Sequence, residues 1–143
     1  MQTLTAITEA FSGIEKPSHF CDYQHCSECA EHDQTLGEHT RESISYEELG
    51  NAGWDPICFI NSDPGFQYYL PALARLAAEP ADEYYLDQFL FHLNEERIDG
   101  LSNLQRSLLA QFLEELLDHM PDEIENNLDT DETLTMIIRL RDG

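Results

Sequence analysis

The sequence predicts a mainly α fold: a compact helical domain that carries a Cys/His-rich loop and has room for two or three short strands. Three observations support this. Apolar residues recur at three- and four-residue spacing over most of the chain. Two capping boxes mark helix starts. The one long segment without such periodicity, residues 18–39, holds three of the four cysteines and four of the six histidines. With 143 residues, one domain spanning 1–143 is the default, and it is long enough to bury a core without staples.

The elements follow in order. Leu4, Ile7, Phe11 and Ile14 share one face of a first helix, about residues 3–12, broken by Lys16-Pro17. Ser45-Tyr-Glu-Glu48 is a capping box for a short helix ending near Gly50. Gly53-Trp-Asp-Pro56 is a turn, with Trp54 as a core anchor. Ile57-Cys-Phe-Ile60 reads as a buried strand or packed coil, with Cys58 an inert buried thiol. Asp63 reads as an N-cap with Pro64 at the first helical position, and Pro71 predicts a kink or two abutting helices. Pro80 begins a unit in which Tyr84, Tyr85, Leu86, Phe89, Leu90 and Leu93 make a helix apolar on most sides, hence central. Residues 94–100 read as a polar loop. Ser102-x-x-Gln105 caps the longest helix, which carries Leu104 to Leu117 and is closed by Pro121. Residues 130–140 suit a helix or a strand, because Thr133-Leu-Thr-Met-Ile-Ile tolerates both. His92 and His119 are read as surface or satisfied core residues. Tyr68-Tyr69 and Tyr84-Tyr85 are read as core packing.

Residues 18–39 form a candidate metal-binding segment: His19-Phe-Cys21-Asp-Tyr-Gln-His25-Cys26-Ser-Glu-Cys29-Ala-Glu-His32-Asp33. Zinc takes four thiolate or imidazole ligands in a tetrahedron. Cys26 and Cys29 are two residues apart, and His32 repeats the spacing, so a tight turn or a helical face presents all three to one point. The fourth ligand is open among Cys21, His25, His19 and Asp33; Cys21 is preferred because it closes a Cys3His site. Asp22, Glu28, Glu31, Asp33 and Glu38 would raise nearby thiols by like-charge repulsion unless a cation compensates them. With Cys58 the spacing is C-x4-C-x2-C and a distant fourth cysteine, similar to plant-type iron–sulfur ferredoxins. An iron–sulfur cluster is nevertheless disfavoured, since the chain after residue 63 reads helical and glycine is scarce in the loop. A redox pair at Cys26/Cys29 would want a helix N-terminus and a positive neighbourhood, and Glu28 and Glu31 argue against it. The zinc-deaminase and H-E-x-x-H patterns are absent, no Gly-rich phosphate loop occurs, and Lys16 is the single lysine. No catalytic residue is assigned.

Charge excludes more than it assigns. Against 29 acidic residues stand seven Lys and Arg, a net charge of −22. Such a surface repels phosphate backbones and anionic membranes, so no direct nucleic-acid or membrane partner is expected. It suits cations or a basic protein partner. The N-terminal residues lack a basic start and a long apolar run, and clustered cysteines without a secretion signal predict a cytoplasmic metal-binding protein. Oligomeric state is left open.

Several stretches together resemble a small bacterial family of proteins with no assigned activity. They are Pro17-Ser-His-Phe20, His25-Cys26-x-x-Cys29-Ala-Glu-His32-Asp33-x-Thr-Leu36, Gly53-Trp-Asp-Pro-Ile-Cys-Phe59, Tyr68-Tyr-Leu-Pro-Ala72 and Tyr85-Leu-x-Gln-Phe-Leu-Phe-His-Leu93, within about residues 14–95. The resemblance implies that Cys26, Cys29, His32 and Asp33 form one recurring unit. It also implies that His19 and His25 belong to the pattern more than Cys21 does.

Three functional expectations compete. The first is a non-enzymatic, zinc-stabilised domain, such as an adaptor or immunity protein, that binds a basic partner. The second is a metalloenzyme with an open site and Glu28, Glu31 or Asp33 as base. The third is an acidic mimic of nucleic acid.

Overall fold

A computed structural model describes residues 1–79 and 83–142 of the chain. Its helices are α1 (Gln2–Ala10), α2 (Ser27–Glu38), α3 (Tyr46–Leu49), α4 (Asp63–Ala77), α5 (Leu86–His92), α6 (Glu95–Asp99), α7 (Asn103–His119), α8 (Pro121–Asn126) and α9 (Thr130–Asp142). Two 3₁₀ turns, Ala52–Trp54 and Pro56–Phe59, join α3 to α4. No strand occurs among the described residues, so the mainly α reading holds and the short strands drop out.

Both capping boxes form. Ser45 and Glu48 close the start of α3, and Ser102 and Gln105 that of α7. The N-cap of α4 is Ser62, one residue before Asp63, with Pro64 in the first turn. The Ile57–Ile60 run becomes a 3₁₀ turn because the Asp55 carboxylate accepts the Ile57 N–H and Pro56 supplies a helical φ. The stretch 94–100, expected as a loop, is helix α6. Asn94 caps it by accepting the Arg97 N–H, and Glu95 and Glu96 favour its first turn. The ambiguous C-terminal segment is helix α9, whose Met136, Ile137 and Leu140 bury one stripe. Pro80 lies outside the described residues.

The core explains why α4 survives Pro71. A mid-helix proline costs about 3 kcal/mol. Eleven of the fifteen residues of α4 are buried, among them Phe66, Tyr69, Leu70, Leu73 and Leu76. Each large apolar side chain contributes about 1.5–3 kcal/mol on burial, so packing prevails and the helix runs through Pro71 unbroken. Helix α4 packs on α1 and α5, while α7 lies against α1, α8 and α9. Phe89 of α5 meets Phe112 of α7 edge to face at 5.8 Å.

Arginines tie the loops to this core. Arg41 donates to the carbonyls of Phe11, Ser12 and Ile14, Arg75 to those of Arg41 and Ile44, and Arg97 to those of Ile57, Ile60 and His92. Helix α2 packs on the Pro56–Phe59 turn. No helix among the described residues is long and apolar enough to cross a membrane.

Candidate metal centre

The loop before α2 is anchored at both ends. Phe20 plugs into the core beside Tyr69, 5.2 Å between ring centres, and its carbonyl accepts the Asn61 N–H. The Asp33 carboxylate, buried on α2, accepts the N–H groups of Phe20 and Cys21 through one oxygen and bonds His19 Nδ1 at 2.7 Å through the other. Burial opposes the charge on Asp33, but the bonds from His19, Phe20 and Cys21 outweigh it and hold the carboxyl below its usual range. A turn closed by the His25 N–H on the Asp22 carbonyl then delivers His25 and Cys26 to the start of α2.

Cys26 is the N-cap of α2. Its backbone is extended, and its sulfur accepts the Cys29 N–H at 3.3 Å. One turn on, Cys29 places its sulfur 3.2 Å from that of Cys26 and 3.6 Å from His25 Nδ1. One donor atom from each of His25, Cys26 and Cys29 lies within 4.8 Å of the others. A tetrahedral zinc site built from bonds of about 2.3 Å to sulfur and about 2.0 Å to nitrogen has S···N edges of about 3.6 Å and S···S edges of about 3.8 Å. The Cys29–His25 edge already has that length. The Cys26–Cys29 pair, at 3.2 Å, is shorter than that edge. Two thiols and an imidazole are a zinc donor set, and three protein ligands leave a fourth position open.

The electrostatics agree with a cation here. The Cys29 N–H, then its thiol, then His25 lower Cys26 to about 7. Cys29 is raised, first by the Cys26 sulfur, then by burial, then by the acidic groups Asp22 and Glu28. His25 is raised by Cys26 and then Asp22. Asp22 and Glu28 therefore place negative charge beside the two thiols, and His25 is the basic side chain among the causes.

The other expected site residues lie apart from this trio. Cys21 is buried, its thiol pushed up to about 12 by burial first, then by Asp33 and Cys29. His19 stacks on Tyr23 and holds Asp33, which in turn holds the loop backbone. His32 turns inward instead of joining Cys26 and Cys29. Its ring stacks on Phe59 at 4.4 Å under the edge of Trp54, and its Nε2 is buried without a hydrogen-bond partner, 3.6 Å from Glu28. Trp54, expected in the core, is half-exposed as the lid over His32.

A second donor group was not flagged by sequence spacing. Asp55, Cys58 and His92 each offer an atom within 4.8 Å of the others. His92 is buried but not satisfied, and Cys58 is exposed rather than buried. Cys58 and His92 are 34 positions apart, on a 3₁₀ turn and on α5, so only the fold joins them.

No protein-family model matches the chain, and no curated protein or solved structure matches it either.

Proposed function

We propose that the chain is an acidic zinc-binding protein whose ion is held by His25, Cys26 and Cys29. The observation that carries this reading is the convergence of one imidazole and two thiols on the N-terminus of α2, with the Cys29–His25 edge at tetrahedral length. The ion's role is mainly structural: it fastens residues 21–26 to α2 beyond the point where Asp33 holds them. The open fourth position falls to a carboxylate or water. The protein's action is then binding of a basic partner. Its net charge is −22, and three of its six arginines direct guanidinium N–H groups at backbone carbonyls, Arg41 also pairing with Glu42 and Arg75 with Glu79.

Elemental analysis of untagged protein tests this. The expected result is zinc bound by the wild type and one equivalent fewer in Cys26→Ala and in Cys29→Ala. Unchanged zinc in both variants overturns the assignment. In the wild type, chelation should also speed amide exchange at Tyr23 and His25 more than in α7.

A second reading has its own observation. Cys26 is an exposed N-cap and Cys29 lies one turn beneath it, an arrangement suited to thiol–disulfide exchange. Cys26 thiolate would attack a partner's disulfide and release one thiol. Cys29 would then displace the second, closing a Cys26–Cys29 bond of about 2.05 Å. Alkylation separates the two readings: a metal site protects both thiols until chelator is added, whereas a redox pair reacts equally with and without it.

A further inference from the structure

Asp55 is the N-cap of the 3₁₀ turn Pro56–Phe59, and one of its oxygens accepts the Ile57 N–H at 3.0 Å. The other oxygen meets Gln88 Nε2 at 3.0 Å and His92 Nε2 at 2.6 Å. Asp55 and His92 are 3% and 1% exposed, whereas Cys58, one turn on from Asp55, reaches the surface. With Nε2 bonded to a carboxylate, the other ring nitrogen of His92, Nδ1, remains buried without any partner. A second orphan accompanies it: the Tyr85 hydroxyl is also buried and unpartnered, with Asp55 and Cys58 among the groups acting on it electrostatically. Two of the three unpartnered buried side-chain polar atoms among the described residues thus belong to one neighbourhood. Each such atom costs about 1–3 kcal/mol when nothing satisfies it, so two in one place point to a ligand.

The approach is open. A cleft with a volume of about 250 Å³ is lined by Asp55, Cys58, Gln88 and the exposed Asp87 and Phe91. Arg97 is the one positive group facing the cluster among the described residues, and its guanidinium bonds the carbonyls of His92, Ile57 and Ile60. Asp55, Glu96 and Asp63 act on Arg97 to offset its charge, and Asp87 adds a carboxylate to the cleft wall.

We propose that Asp55, Cys58 and His92 form a second divalent-metal site, separate from the His25–Cys26–Cys29 centre and suited to zinc or cobalt. A Cys58 thiolate and the His92 Nδ1 imidazole nitrogen are donors these ions take, while Asp55, which holds Nε2, stays outside the ion's own shell. Cys58 loses its thiol proton to solvent on binding. Asp55, already bonded to the ring, orients His92 and supplies the second negative charge, the arrangement metal-ligating histidines commonly have. Water from the cleft completes the shell.

The test uses the full-length wild type, Cys58→Ala and Cys26→Ala, with zinc and cobalt chloride as probes. Cys58 is exposed, so its removal leaves the fold intact, which circular dichroism verifies. The expected result is one equivalent of zinc fewer in Cys58→Ala than in the wild type, with the Cys26 site still filled. Zinc should also slow alkylation of Cys58 at least tenfold in both the wild type and Cys26→Ala, and cobalt should give Cys26→Ala a sulfur-to-metal absorption band. Equal zinc in wild type and Cys58→Ala overturns the proposal, as does Cys58 alkylation indifferent to zinc; Asp55–His92 is then a structural clamp only. A failure of the first centre alone would show as loss of the Cys26-dependent equivalent while the Cys58-dependent one remained.

Discussion

The carboxylate of Asp33 accepts the backbone N–H of Phe20 at 2.6 Å, across thirteen residues of chain. This bond joins the loop that carries the candidate ligands to the helix that carries Cys29. The same oxygen takes the Cys21 N–H, and the other oxygen takes His19. Asp33 therefore clamps the loop to α2 with both of its oxygens engaged. Asp33→Ala leaves two buried backbone donors without an acceptor, at about 1–3 kcal/mol each if water does not reach them. We expect a loss of about 2–4 kcal/mol in urea unfolding of metal-free protein, and weaker zinc binding because His25 and Cys26 lose their anchor. Unfolding energies equal to those of the wild type would show the clamp to be idle.

Asp33 also gives the metal-free protein an acid limb. Its carboxyl lies below its usual range in the folded state, so folding favours the ionised form. That contribution is fully present above the unfolded carboxyl value of about 3.9 and is lost as pH falls through the lower folded value. Thermal melts taken from pH 6 downward should fall below about pH 4. In Asp33→Asn the starting Tm should be lower and the acid slope shallower. An unchanged slope in Asp33→Asn would assign the acid limb to other carboxylates.

Helix positions were legible because periodicity and caps are local signals. Ser45 and Ser102 announce α3 and α7 within four residues each. The Cys26–Cys29 pair was legible for the same reason, since its spacing is a property of one turn. What failed was non-local. Nothing in the order His32-Asp33 says that His32 turns in beneath Trp54 and Phe59 while Asp33 turns toward the loop backbone. The inward turn of His32 follows from the packing of α2 on the Pro56–Phe59 turn. Sequence reads Asp55, Cys58 and His92 one at a time, as turn, inert buried thiol and surface or satisfied core histidine, because only the docking of α5 beside that turn makes them neighbours. The element at 94–100 was missed for a local reason: its helix is five residues long, too short for any periodic pattern.

Leu128 is the one non-glycine residue with positive φ among the described residues, at 61°, and its side chain is 89% exposed. It follows α8, where the Asp129 N–H returns to the Ile124 carbonyl and the Leu128 N–H to that of Glu125. This is a helix stop that wants a left-handed residue, a role glycine fills without the clash of a Cβ. A leucine there costs about 1–2 kcal/mol in backbone strain. Part of the gain from Leu128→Gly is cancelled by the greater freedom of glycine in the unfolded chain. We expect a net stabilisation of about 0.5–1 kcal/mol, read as a rise of a few degrees in Tm. A fall in Tm would mean that the leucine side chain makes a contact worth more than its strain.

Arg41 supplies the last test, because its role depends on shape more than charge. Its guanidinium reaches the carbonyls of Phe11, Ser12 and Ile14 at 3.0, 3.1 and 3.3 Å, and lies 4.8 Å from the centre of the Tyr68 ring. These carbonyls follow the C-terminus of α1, where a cation complements the helix dipole and exposed acceptors need donors. A lysine ammonium keeps the charge but cannot spread donors across three acceptors or lie flat on a ring. Arg41→Lys should therefore lose about 1–2 kcal/mol of stability, close to the loss in Arg41→Met, although the net charge is unchanged. If electrostatics dominated, Arg41→Lys would match the wild type, and raising salt to 1 M would shrink the gap between wild type and Arg41→Met. We expect the gap to persist, since hydrogen bonds to half-buried carbonyls are screened far less than exposed charges.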